Sequence, residues 1–84
     1  MIQDELNKIL ENHLKWLKHE DGGECADLHG MDLSGMFLSD VNLWGANLTH
    51  ANLSCTNLRN ADLTHVNLSR ANRHTHLHPH VLTI

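Results

Sequence analysis

Residues 26–70 read, in fives, ADLHG MDLSG MFLSD VNLWG ANLTH ANLSC TNLRN ADLTH VNLSR. Leucine recurs without a miss at Leu28, Leu33, Leu38, Leu43, Leu48, Leu53, Leu58, Leu63 and Leu68. Two residues before each stands a small or modest residue: Ala26, Met31, Met36, Val41, Ala46, Ala51, Thr56, Ala61 and Val66. Between the two is Asp or Asn in every repeat but one, where it is Phe37.

A period of five fits neither regular element. In a helix successive leucines would rotate by about 140° and sweep the whole surface. In a flat strand an odd spacing sends alternate leucines to opposite faces. A single leucine core therefore requires the chain to turn once per repeat, which makes the segment a coiled solenoid with the leucine and the residue two before it facing inward.

The A(D/N)LxX text over residues 25–72 closely resembles the pentapeptide-repeat family. The resemblance implies an all-β solenoid in which four repeats make one square turn of a right-handed quadrilateral β-helix. Residues 20 apart then stack, Leu28 under Leu48 under Leu68, and the segment makes a little over two coils. On the same reading Asp27 lies under Asn47, Asp32 under Asn52 and Asn42 under Asp62. No acid sits on an acid, and the Asp/Asn positions are expected to form polar ladders between coils.

Residues 1–24 are predicted to be an N-terminal capping helix over about residues 4–19 and a turn. Ile2, Leu6, Ile9, Leu10, His13, Leu14, Trp16 and Leu17 share one side of a helical projection, with Asp4 as candidate N-cap and Gly22 and Gly23 as the stop. An open solenoid end exposes an apolar cross-section and unpaired backbone groups. A helix immediately before the first repeat is placed to cover them, with Leu6, Leu10 and Leu17 on the first coil. Family members often carry such a cap. Residues 73–84, RHTHLHPHVLTI, form a non-repeat His-rich tail. The expectation is that this tail folds back over the last coil or that two chains meet there as a homodimer through the C-terminal coil.

Composition excludes some functions. The net charge is −4 with His neutral, and Arg59, Arg70 and Arg73 are the only Lys or Arg after residue 24, too few for a phosphate backbone, so no nucleic acid is expected as partner. No stretch has the length of a membrane span, and Asp4, Glu5 and Lys8 interrupt the first ten residues where a signal peptide would be apolar. The expectation is a cytoplasmic protein with no membrane association. Cys25 and Cys55 fall on opposite sides of a four-sided coil and are expected to be free thiols.

Candidate chemistry is sparse. His74, His76, His78 and His80 alternate and would share one face of an extended strand, but no cysteine or carboxylate completes a metal set, so weak, adventitious metal binding by the tail is the most they offer. His29, His50 and His65 occupy outward positions, and His13 is expected to be a core histidine bonded to a backbone carbonyl. No nucleophile–base pair and no phosphate-binding glycine loop is present, so no catalytic residue, cofactor or structural metal is expected. Phe37 and Trp44 are aromatic at outward positions of the first coil and are the candidate partner-binding residues, unless Trp16 and the helix fold over them. The expected function is a non-catalytic structural or protein-interaction module with a protein partner. The resemblance also implies an alternative, a DNA-mimic binder of a type II topoisomerase. Against it, residues 25–72 carry only Asp27, Asp32, Asp40 and Asp62 as acids. Two coils also rise only about 10 Å at the usual strand spacing.

Overall fold

The computed structural model describes residues 1–74. One helix, α1 (Gln3–Leu17), precedes a coil that runs to His74. The coil is defined by parallel bridges between residues twenty apart: Asp27 with Asn47, Asp32 with Asn52, Phe37 with Asn57, Asn42 with Asp62, Asn47 with Asn67 and Asn52 with Asn72. Around each bridge the hydrogen bonding is regular. Leu28 N–H donates to Asn47 O at 2.8 Å and Asn47 N–H donates to Ala26 O at 3.0 Å. The same pair of bonds recurs up the stack, for example from Leu33 to Asn52 O at 2.9 Å and from Asn52 to Met31 O at 2.9 Å. The ladder continues past Asn72, since Cys55 N–H donates to His74 O at 2.8 Å, so the repeat geometry outlasts its sequence signature by two residues.

Each side is one bridged residue long and is followed at once by a turn, so continuous strands do not form. The turn starts at the leucine. Met31 N–H returns to Leu28 O at 3.2 Å, and the third residue of every turn has positive φ: Gly30, Gly35, Asp40, Gly45, His50, Cys55, Asn60, His65 and Arg70, between 57° and 73°. A positive φ at this place is what a type II turn requires. Glycine meets it freely, and the other side chains accept left-handed backbone at a cost.

The Asp and Asn residues serve these turns rather than the ladder. Asp27, Asp32, Asn42, Asn47, Asn52, Asn57, Asp62, Asn67 and Asn72 each accept, through Oδ1, the N–H two residues on, at 2.9–3.3 Å. Among the described Asp and Asn side chains, one bond to another crosses between coils, from Asn52 Nδ2 to Asp32 Oδ1 at 3.3 Å. The expected polar ladders are therefore a row of Asx turns, because the short side chain reaches its own backbone before it reaches the next coil.

All nine repeat leucines are buried, from 0% exposed at Leu28 to 5% at Leu68. Of the residues two before, Ala26, Ala46, Ala51 and Val66 are buried, and Ala61 is half-buried. Thr56 is fully buried too, its hydroxyl donating to Leu33 O at 2.7 Å. Met31 departs from the expectation at 38% exposed, its longer chain standing in the column that Ala51 fills in the next coil.

The helix differs from its prediction at both ends. Ile2 is the N-cap and has no side-chain oxygen, so Asp4 lies in the first turn instead and the Glu5 carboxylate accepts the Ile2 N–H at 3.4 Å. At the other end Glu20 N–H donates to Lys15 O at 2.9 Å and His19 N–H to Trp16 O at 3.2 Å, with His19 at φ 59°. This is a Schellman stop formed on histidine. Gly22 and Gly23 come after the stop. Gly23 is needed for closeness: a Cβ there would lie 2.6 Å from Trp16 Cα. Leu6 is fully buried in the core and Met1, Ile9 and Leu10 pack against it, while Ile2, Leu14 and Trp16 are largely exposed, so the buried stripe is narrower than the projection suggested. The expectation that the tail or a second chain covers the last coil, and the metal reading of His76, His78 and His80, lie outside the described residues.

Two substitutions test this architecture. Leu48→Ala, with a leucine column above and below, is expected to lower stability by about 2–5 kcal/mol in a thermal or urea melt. Gly35→Ala meets no atom within 4 Å of its new methyl, yet is expected to cost about 1–2 kcal/mol from backbone strain alone. An unchanged melt for either would contradict the leucine stack or the left-handed corner respectively.

Candidate functional site

The junction of α1 with the first coil carries the side chains that the repeat itself does not explain. Every upper coil finds its bonding partners in the coil before it, and the first coil has none before it. The helix supplies substitutes. Gln3 clasps Phe37 with both ends of its amide, Nε2 donating to Phe37 O at 3.1 Å and Oε1 accepting Phe37 N–H at 3.1 Å. The side-chain amide thus takes the place of a peptide from an absent coil. Glu24 N–H donates to Asn12 O at 3.1 Å, tying the linker to the helix.

His13 makes the third substitution. It is fully buried, and its Nδ1 accepts the Ala26 N–H at 2.9 Å. In later repeats the N–H at this place returns to a leucine carbonyl, but no repeat precedes Ala26. The expected bond from His13 to a carbonyl is therefore corrected: the ring is an acceptor toward a backbone N–H, because the missing partner is itself an acceptor. Nε2 is buried without a hydrogen-bond partner among the described residues. Burial holds the His13 pKa below the usual histidine value, with the Trp44 backbone pulling weakly the other way.

The two aromatic candidates occupy different places. Phe37 is 67% exposed, with its backbone bonded to Gln3 in the first turn of α1. Trp44 is 40% exposed at the far end of the helix, in a cleft it shares with Trp16, Leu17 and Glu20. Gln3 and Trp16 stand about 20 Å apart along the axis. Phe37 and Trp44 are therefore not brought into one patch. Trp16 does come beside Trp44 without covering it. Sequence reasoning missed Gln3, whose role depends on where α1 docks, and it underrated Glu20 and Trp16 for the same reason.

Phe37 departs from the turn chemistry of the other repeats. It is the repeat residue that cannot cap its turn, and the turn after it is the one of the nine without a closing bond, here from Val41 N–H to Leu38 O. Its outward ring is buried by nothing that repays the loss.

The other candidate groups do not assemble. Among the described residues no three His, Cys, Asp or Glu side chains stand close enough to hold a metal ion. Cys25 and Cys55 are free. Burial, and then the charge of Asp27, push the Cys25 thiol up, away from the reactive thiolate. Asp27, Asp32 and Asp62 are held below the ordinary carboxylate value by their bonds to His29, Ser34 and Thr64, which are the turn bonds already described. Among the described residues no helix is long and apolar enough to cross a membrane.

A family model described as pentapeptide repeats matches the chain in eight copies, over residues 24–49 and 42–72. No curated protein and no solved structure matches it.

The depressed His13 value sets a pH dependence. The unfolded chain takes up a proton at about pH 6.5 while the folded chain resists it, so stability is full above that pH and declines as pH falls below it. The three aspartates act in the same direction at lower pH, their contribution being lost as pH falls below the ordinary carboxylate value. Melting temperature is expected to drop between pH 7 and pH 5, and His13→Asn, which keeps an acceptor for Ala26 N–H, is expected to flatten that drop. His13→Leu leaves the Ala26 N–H unpaired and is expected to cost about 1–3 kcal/mol at neutral pH. An identical pH profile for wild type and His13→Asn would contradict this role.

Proposed function

The chain belongs to the pentapeptide-repeat family, and from that premise we propose that it is a non-catalytic interaction module that binds a protein partner through the exposed ring of Phe37. The coil would be the right-handed quadrilateral β-helix of that family, a rigid post on which a few side chains are displayed. Twenty-residue bridge spacing and a turn at every fifth residue support that form.

The observation that carries the reading is the exchange made at Phe37. Each Asp or Asn at the equivalent position closes a turn, and an asparagine there would do so again. The chain has instead an aromatic ring 67% exposed, of the type that anchors protein interfaces. The Gln3 clasp fixes the backbone beneath the ring, so the ring is presented from a held position and loses little freedom on binding.

Phe37→Asn separates stability from recognition. The substitution is expected to restore the turn bond to Ser39 N–H and raise stability by about 0.5–1.5 kcal/mol. Partner capture from the native cell, compared between wild type and this variant at equal concentration, is expected to lose its bound protein. A variant that is more stable and still captures the same protein would refute Phe37 as the contact. A variant that is less stable would refute the exchange on which the reading stands.

A further inference from the structure

The cleft at the C-terminal end of α1 involves neither Phe37 nor the turn chemistry. It has a volume of about 580 Å3 and is lined by Trp16, Leu17, His19, Glu20, Gly23 and Trp44. That size suits a small ligand or one inserted side chain. Both tryptophans of the chain line it, at 37% and 40% exposed.

The two rings are held from behind. Trp16 stacks on buried His13, with centroids 5.5 Å apart and planes 25° from parallel. Its outer edge passes over Gly45, at 3.9 Å from where a Cβ would stand, which is ordinary contact distance. Trp44 meets His65 of the next coil edge-on, at 5.1 Å and 76°. Gly23, pressed against the backbone of Trp16, leaves the lining free of a side chain at that point.

The electrostatics of the lining favour one class of occupant. Indole faces are negative, and the C-terminal end of a helix carries partial negative charge. Glu20 adds a carboxylate, and neither Lys nor Arg is among the lining residues. An anion would be repelled, and a neutral apolar group would gain nothing from Glu20. A compact ammonium holds its water strongly, whereas an alkylated one sheds it readily against aromatic faces. We propose that the cleft between Trp16 and Trp44 binds a quaternary ammonium group, with Glu20 as its counter-ion. The group would come either from a choline-type small molecule or from a trimethylated lysine side chain.

Tryptophan fluorescence of the full chain, titrated with choline and with its neutral carbon isostere 3,3-dimethylbutan-1-ol, tests this. Choline is expected to give a saturable change and the isostere to bind about tenfold more weakly, as loss of a cation–aromatic attraction implies. Glu20 is exposed, so Glu20→Gln is expected to melt as wild type and weaken choline by about threefold to tenfold. A peptide bearing trimethyllysine, set against its unmodified form, fixes the source: tighter binding than choline assigns a protein side chain, and no gain over choline assigns the free head group. Phe37→Asn is expected to leave the titration unchanged, which keeps this site separate from the surface proposed above. Absence of saturation, equal affinity for choline and the isostere, or an unaffected Glu20→Gln variant would each overturn the proposal.

Discussion

The whole structure depends on one corner, repeated. If one leucine in five is to face a common axis, the chain must turn after every leucine, and the turn it uses places its third residue in left-handed backbone. Once that corner is set, the rest follows. The side between two corners is too short for a strand, so each carries a single bridge. The bridge brings residues twenty apart into register, and register puts leucine on leucine. The Asp or Asn before every repeat leucine but Leu38 is positioned to hold the corner from outside. Inner packing and outer turn bond thus act on the same few dihedral angles, so that local and global preferences agree in nearly every repeat.

A periodic ladder has no natural beginning, and the first coil shows how one is made. The helix does not continue the repeat geometry. It imitates the repeat's chemistry at chosen points, with a glutamine amide at Phe37 and an imidazole at Ala26. Leu6 then plugs the apolar cross-section as a leucine from an earlier coil would. Three side chains on one helix face thereby replace part of a missing coil, and the remaining face of α1 stays free. This explains why Leu14 and Trp16 are exposed although the helical projection groups them with buried residues. The end of a narrow solenoid offers a small area, so only a narrow stripe of the helix can be covered by it.

The core was legible because it is written as a period, and a period of five has few physical solutions. The direction of the Asp and Asn bonds was not legible, since a residue beside a ladder can bond along the chain or across it and both readings have the same spacing. His19 at the helix stop was hidden for a similar reason: the two glycines three and four residues on are the stronger signal, and one of them is needed for packing against Trp16 instead. The candidate site was half legible. An aromatic in place of a turn residue can be seen in a line of text, but the separation of Phe37 from Trp44 appears only when α1 is laid across the coil.

Phe37 stands where these threads meet. It is the one break in the Asx pattern, it follows that its corner loses a bond on the outside, and it is also the residue whose backbone the Gln3 amide clasps. A corner without its own bond would be the softest place in the first coil, and the first coil has no lower neighbour to steady it. The clasp acts on that weakness: two bonds from the helix hold the peptide groups on either side of the aromatic residue. Part of the work of the helix is thus local to one side chain. In the absence of any need for Phe37, an asparagine would hold the corner and the clasp would be redundant. With phenylalanine there instead, the two bonds from Gln3 hold the backbone that an Asx turn would otherwise steady.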